Sequence, residues 1–236
     1  PLAAGASRVA SRGSDLFGFK ARFAGARLPA GLMPLLLFPG GYGGMVHTDA
    51  GEVSFSCCVR RDALHALRLE RPGLAAGDAL LAHVQRECRA AREALLGARR
   101  AGPWLSAGPI RPGIRTLASG GIFAVGNAAG EAHPLVAEGI SMAIQSAWIL
   151  ASILARRPHG ALSRQEIDAA GREYAARWRA QLATRVRAAS LFAALTARPS
   201  GARASAAAVA TLPRLLTWGA QWSGKARALD ATRAAR

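Results

Sequence analysis

Apolar and polar residues alternate in part from Leu16 to Phe23 (LFGFKARF), a pattern that predicts a β-strand. Met33 to Phe38 is a short apolar run ended by Pro39-Gly40-Gly41, and it predicts a second strand. The segments Met45 to Thr48 and Glu52 to Val59, joined by Asp49-Ala50-Gly51, predict a hairpin, with Gly51 supplying the positive φ of its loop. Val53, Phe55, Cys57 and Val59 would share one face, with Ser54, Ser56 and Cys58 opposite. That split predicts an antiparallel sheet with a single well-packed side. From 77 to 97 the period becomes helical. Leu80, Leu81, Val84, Cys88, Ala91 and Leu95 form the apolar stripe, and Asp78 sits near the favourable positive end. Residues 101–118 are broken by Pro and Gly and predict short strands and turns.

The next stretch is the most specific in the chain. A buried strand is predicted at Ile122–Val125, then a small-residue turn at Gly126-Asn127-Ala128-Ala129, a loop holding Pro134, and a long apolar helix opened by Gly139. This order brings backbone N–H groups and a helix N-terminus to one point, where an electron-rich ligand edge would be stabilised. The helix, 139–155, is closed by Arg156-Arg157-Pro158. Its apolar run, Gly139 to Leu154, falls short of the roughly 20 residues that span a bilayer, and Ser141, Gln145 and Ser146 interrupt it, so a buried core helix is expected. A second amphipathic helix starts at Ser163, with Glu166 placed to complete a capping box. Its stripe of Ile167, Tyr174, Trp178, Leu182 and Val186, flanked by Arg, suits either core packing or an anionic membrane surface. Beyond Pro199 the chain is rich in Ala and Ser, with a last apolar patch at Leu212–Trp222 before a basic tail.

Composition changes this picture little. The 236 residues suffice for a sizeable core. A net charge of +17 invites a nucleic-acid reading, yet Lys20 and Lys225 are the only lysines and no Lys/Arg run exceeds two. The charge is therefore read as compositional, and a basic nucleic-acid binder is the least favoured alternative. Cys57, Cys58 and Cys88 make no disulfide framework and no metal-ligand spacing, so core cysteines, no metal and a reducing cytoplasmic compartment are expected. The chain opens at Pro1 without an apolar leader, which suggests a portion of a longer reading frame.

The motif Gly126-Asn127-Ala128-Ala129, with Pro134 and Gly139-Ile140-Ser141-Met142-Ala143, resembles the second flavin-contact motif of FAD-dependent oxidoreductases. The group is that of the aromatic hydroxylases, flavin halogenases and geranylgeranyl reductases. Two other segments are similar to that family. Phe38-Pro39-Gly40-Gly41-Tyr42-Gly43-Gly44-Met45 resembles the glycine segment of the substrate sheet in reductase-like members, and Gly5-Ala6-Ser7-Arg8-Val9 resembles the tail of the middle motif. The resemblance implies FAD as cofactor, with NADH or NADPH as candidate electron donor. It implies cofactor contacts at Gly126, Asn127, Ala128, Ala129, Pro134, Gly139, Ile140, Ser141 and Met142. Asn127 takes the place of a family Asp that meets the ribityl or pyrophosphate part; Gly139, Ile140 and Ser141 would offer N–H groups to the pyrimidine edge of the ring.

The resemblance also implies an α/β fold, α+β over the residues present. Residues 1–13 would be a remnant of the FAD domain and 14–105 an inserted antiparallel-sheet substrate domain. Residues 106–155 would return to the incomplete FAD domain, and 156–236 would be helical. Two departures stand out. Asn127 keeps a donor and an acceptor but carries no charge. No G-x-G-x-x-G unit with its following acidic residue is found, so the cradle for the ADP half is missing. Phe38, Pro39 and Tyr42 either line an apolar-substrate cavity or pack a strand end. His133 and Glu131 either offer a proton donor or form an exposed loop pair, and Glu138 reads as a contact or cap at the helix start. Two functions remain: an FAD-dependent monooxygenase or reductase of an apolar, prenyl-type or aromatic substrate, or a non-catalytic half that needs a partner bearing the nucleotide cradle.

Overall fold

In the computed structural model, which describes residues 10–157, 160, 162–196, 211, 212 and 214, the first alternating segment forms β1 (Leu16–Ala24). Around it build β2 (Leu35–Phe38), β3 (Gly41–His47) and β4 (Val53–Arg60), then helices α1 (Arg61–Glu70), α2 (Ala76–Glu87) and α3 (Arg89–Ala94). The short β5 (Arg99–Arg100) and β6 (Leu105–Ile110) follow. Together they form the first of two units, Pro1–Arg111 and Pro112–Arg236. The sheet order is β2-β3-β4-β1-β5, with β6 also on β1, and every pair is antiparallel.

Register explains the core. Phe19, Ala21 and Phe23 lie opposite Cys57, Phe55 and Val53, and all six face the helices with Phe38 and Met45. Leu67, Leu80, Val84 and Ala91 close that side. Each large apolar side chain buried there contributes roughly 1.5–3 kcal/mol. Trp104 meets Phe19, Phe23 and Phe55 edge-on and donates its indole N–H to Asp78 at 2.8 Å. The predicted 77–97 helix is in fact two helices. Cys88 adopts an extended backbone between them, and its thiol donates to Leu37 O in β2 at 3.3 Å. The glycine segment after Pro39 is strand β3. A Cβ on Gly43 would lie 2.6 Å from Ser56 O, so glycine there permits close pairing with β4. Helix α1 had no counterpart in the sequence reading.

The second unit begins with two small ladders: β7 (Gly113–Ile114) with β10 (Gly130–Glu131), and β8 (Ala118–Ser119) with β9 (Ile122–Phe123). The predicted buried strand Ile122–Val125 does not form as such. Strand β9 has two residues, its one partner among the described residues is β8, and Ile122 and Val125 are exposed. Helix α4 (Gly139–Leu154) packs on α5 (Arg164–Trp178), which begins with the expected capping box between Ser163 and Glu166. A π-helical turn, Arg179–Ala183, leads into α6 (Thr184–Thr196).

Tyr174, Trp178, Leu182 and Val186 are buried with Met142, Ile149 and Ile153 in one core. Those four stripe residues are thus occupied by packing and are not presented to a membrane surface. No helix among the described residues is long and apolar enough to cross a membrane. Among the described residues all strand pairs are antiparallel, so the observed class is mixed helix and antiparallel sheet. The Gly5–Val9 segment, Pro158, and nearly all of the chain beyond Thr196, including most of the Leu212–Trp222 patch, lie outside the described residues.

Candidate functional site

The motif of the second unit is shaped by one polar residue inside an otherwise apolar helix. Ser146 is buried in the middle of α4, on the face shared with Met142, Ile149 and Ile153. Its Oγ accepts the Gly126 N–H at 2.8 Å and donates to Ala143 O at 2.9 Å. Gly126 itself has φ +58, and a Cβ there would lie 3.3 Å from the Ala143 Cβ. Gly126 thus combines a left-handed backbone with close approach to the helix, a pair of demands that favours glycine. A 3-10 turn follows at Gly126–Ala128. Tyr174 supports it from α5 by donating its hydroxyl to Ala124 O at 2.7 Å, and burial holds that phenol above its ordinary pKa.

Arg115 clamps the same turn. Its guanidinium donates to Asn127 O and to Glu131 Oε2 (3.1 Å), and its backbone N–H donates to Ala129 O (2.9 Å). Asn127 and Ala128 are exposed, whereas Ala129 is buried and shapes the turn from behind. Next, His133 caps a second 3-10 turn, Pro134–Val136, where its Nδ1 accepts the Leu135 N–H at 3.4 Å. That bond requires an unprotonated Nδ1. Burial lowers the His133 pKa, in keeping with a neutral ring. Glu131 is paired with Arg115, so its carboxylate is not a solvated one.

Ala137 then adopts a left-handed backbone, φ 52, rare for a residue with a Cβ. Glu138 follows as the N-cap of α4, but its side chain makes no capping bond, so of the two roles expected for it, contact or cap, the side-chain cap is not formed. The first amide to bond back into the helix is Met142, to Glu138 O at 2.9 Å. The N–H groups of Gly139, Ile140 and Ser141 therefore have no acceptor within α4. Gly139 and Ile140 are exposed, and nothing lies within 4 Å of where a Gly139 Cβ would stand. Met142 is a core side chain with its N–H already used. The Ser141 hydroxyl accepts from Gln145, and Gln145 Oε1 accepts from Arg185.

The three first-unit residues expected near substrate do not share one face of the sheet. Phe38 points to the helix side of the first unit's sheet, where it packs edge-on against His83 with ring centroids 5.8 Å apart. Tyr42 pairs with Leu37 and lies on the opposite face, half-buried. Pro39 is exposed, and its carbonyl is held by His83 Nε2 at 3.0 Å. The outer sheet face also carries exposed Leu35, Leu37 and Val46. His133 belongs to the second unit. A surface cleft of about 250 Å³ lies between the β8–β9 hairpin and α5, lined by Gly120, Gly121, Asp168 and Arg172 among others. No motif residue lines it, and the open start of α4 is chemically the better ligand site. Ser146 and Arg115 carried no expectation as site features, and the burial of Glu138 was not foreseen. For Ser146 a signal existed: a serine at the i, i+4 and i, i+3 spacing of Met142, Ile149 and Ile153.

No protein-family model matches the chain, and no curated protein matches it in sequence. Solved structures do match it in fold. The flavin-dependent halogenase CmlS aligns with a TM-score of 0.58 at 20% identity, covering 77% of this chain and 32% of that protein. The myxobacterial chondrochloren halogenase CndH, an FAD-dependent enzyme, gives 0.56 at 24% identity over 72% of this chain and 39% of its own. PqsL, a probable FAD-dependent monooxygenase from Pseudomonas aeruginosa, gives 0.54 at 17% identity over 81% and 50%. The chain has, in part, the fold of FAD-dependent halogenases and monooxygenases. It spans between a third and a half of the length of these proteins.

Proposed function

We infer that this chain supplies the ring-side half of an FAD site in an FAD-dependent oxidoreductase. The observation that carries the reading is the Gly126–Ser146 hydrogen bond, which ties the Gly126–Ala129 turn to α4, the helix whose start leaves three amides open. The residues suit the cofactor. Asn127 and Ala128 are exposed for a ribityl or phosphate contact, and the amides of Gly139, Ile140 and Ser141 suit the carbonyl edge of the ring, with Pro134 in the loop beside it. A helix start facing that edge favours an anionic reduced ring by roughly 0.3–2 kcal/mol. When bound, FAD would supply the redox chemistry, either hydride transfer to an unsaturated substrate or activation of O2 for hydroxylation or halogenation. The chain's own part is to hold and orient, and no catalytic side chain is assigned. The apolar outer face of the first unit's sheet (Leu35, Leu37, Tyr42, Val46) supports an apolar, aromatic or prenyl-type substrate. NADH or NADPH is the proposed electron donor.

A second reading, a half-site completed by another polypeptide segment with the dinucleotide cradle, has its own support. Helix α4 carries no charged residue, yet Ile140, Ile144 and Trp148 are exposed along one face. A helix apolar on all sides is normally covered. One experiment tests both readings: absorbance spectra of the chain alone, and of the chain joined to its upstream coding sequence, each with FAD and then NADH or NADPH. An oxidised-flavin spectrum that bleaches, seen in the extended protein, supports the oxidoreductase; failure of the extended protein to take up FAD refutes it. The chain alone is expected to retain FAD weakly or not at all, and a yellow stoichiometric complex would refute the half-site.

A further inference from the structure

Buried polar groups in this protein are generally paired. Asp15, for example, is buried but receives two hydrogen bonds from Arg111, both at 2.7 Å, and a third from the Arg12 amide at 2.9 Å. Glu138 breaks that habit. It is 2% exposed, and neither of its carboxyl oxygens has a hydrogen-bond partner. A carboxyl group stripped of water with no replacement donor is a standing cost to the fold, and such a group calls for an explanation.

Its position supplies one. Glu138 stands immediately before a 16-residue helix, after the left-handed Ala137, and beside three amides with no acceptor in that helix. Nothing lies within 4 Å of where a Gly139 Cβ would stand. The residue that precedes those amides thus carries one unused acceptor group, buried in the free state. The ligand edge complementary to that set alternates acceptor, donor, acceptor: an imide, C(=O)–NH–C(=O), as found on the pyrimidine side of a flavin. We propose that the Glu138 carboxyl group is a ligand-binding group reserved for the imide N–H, while the α4 amides take the adjoining carbonyl oxygens. This rests on the flavin reading given above. It assigns the cost of an unpartnered carboxyl to the free state and its relief to the bound one.

The test uses two probes that differ only at the imide nitrogen, riboflavin and 3-methylriboflavin, titrated by fluorescence quenching into the chain joined to its upstream coding sequence. The wild type should prefer riboflavin by about 10- to 100-fold, the range of a hydrogen bond to a strongly polar group. Glu138→Ala should bind the two within about 3-fold of each other. An undiminished preference in Glu138→Ala overturns the assignment and leaves the flavin reading standing. No binding of riboflavin to the wild type overturns the flavin reading and the proposal with it. Thermal unfolding without ligand gives a second readout. Glu138→Gln and Glu138→Met should melt at or above the wild-type temperature, since each removes an unpartnered carboxyl group. A fall of more than about 5 °C in both would show that the fold itself uses the carboxyl, and would overturn the proposal.

Discussion

Replacing Ser146 with Ala deletes one hydroxyl from the interior of α4 while leaving the helix able to form. In the wild type that oxygen accepts the Gly126 N–H at 2.8 Å and is almost fully buried, at 1% exposure. The bond it donates to Ala143 O is a back-bond within the helix, where the carbonyl has further capacity, so its loss is minor. The decisive loss is the acceptor for Gly126. An amide left without a partner in a largely buried setting costs about 1–3 kcal/mol. Alanine returns up to about 0.5 kcal/mol through its better helix propensity. The net destabilisation is then about 0.5–2.5 kcal/mol, and at about 2–4 °C per kcal/mol for a chain of this size Tm should fall by about 1–10 °C. The assay pairs a thermal melt with amide hydrogen exchange read at Gly126. The exchange should accelerate at Gly126 and its turn while amides near Ile153 keep their protection. Unchanged exchange at Gly126 together with an unchanged Tm would refute the claim that Ser146 holds the turn.

Two further predictions concern the first unit. Hydrogen bonds from Arg111 and from the Arg12 amide hold the Asp15 pKa down at about 2, below its ordinary 3.8. A depressed carboxyl contributes stability that is full above pH 3.8 and fades as pH falls toward about 2. Urea unfolding followed from pH 5 to pH 2 should show that loss, and Asp15→Asn should flatten it; an equally steep profile in the variant would refute the assignment. Gly43→Ala places a methyl 2.6 Å from Ser56 O and 2.7 Å from Cys57 Cβ, so β3 and β4 must separate. A cost of about 1–3 kcal/mol is expected in urea unfolding, and a wild-type midpoint would show that the glycines serve something other than strand pairing.

Much of the first unit was legible because its physics is local. Phe55, Cys57 and Val59 alternate with polar residues on one strand, and a single buried sheet face suffices to sort them. The α5 capping box was legible for the same reason, since Ser163 and Glu166 need only each other. Cys88 was not, because the bond its thiol makes goes to Leu37, far away in sequence. Nor was Arg115, one arginine among many until the fold sets it against Asn127 and Glu131. The Ile122–Val125 segment misled because its apolar letters promise burial, while β9 finds one neighbour among the described residues. At the motif, residue types pointed to the open helix start, but the isolation of Glu138 depends on what surrounds it and has no signature in the letters alone.

The π-helical turn at Arg179–Ala183 works as a phase adjuster between two helices. Residues spaced by four drift around an ordinary α-helix, because each residue advances about 100°. The wider turn absorbs that drift, so Trp178, Leu182 and Val186 keep a common bearing and Ala189 and Ala193 inherit it. Deleting one residue from this turn would restore an unbroken α-helix and leave α6 on nearly the same bearing, because the wider turn takes up about one extra residue. A second deletion has no spare residue to draw on and would swing α6 through about 100°, turning Val186, Ala189 and Ala193 outward. The segment thus tolerates the loss of one residue but not of two, a difference that a deletion scan across 179–183 would expose.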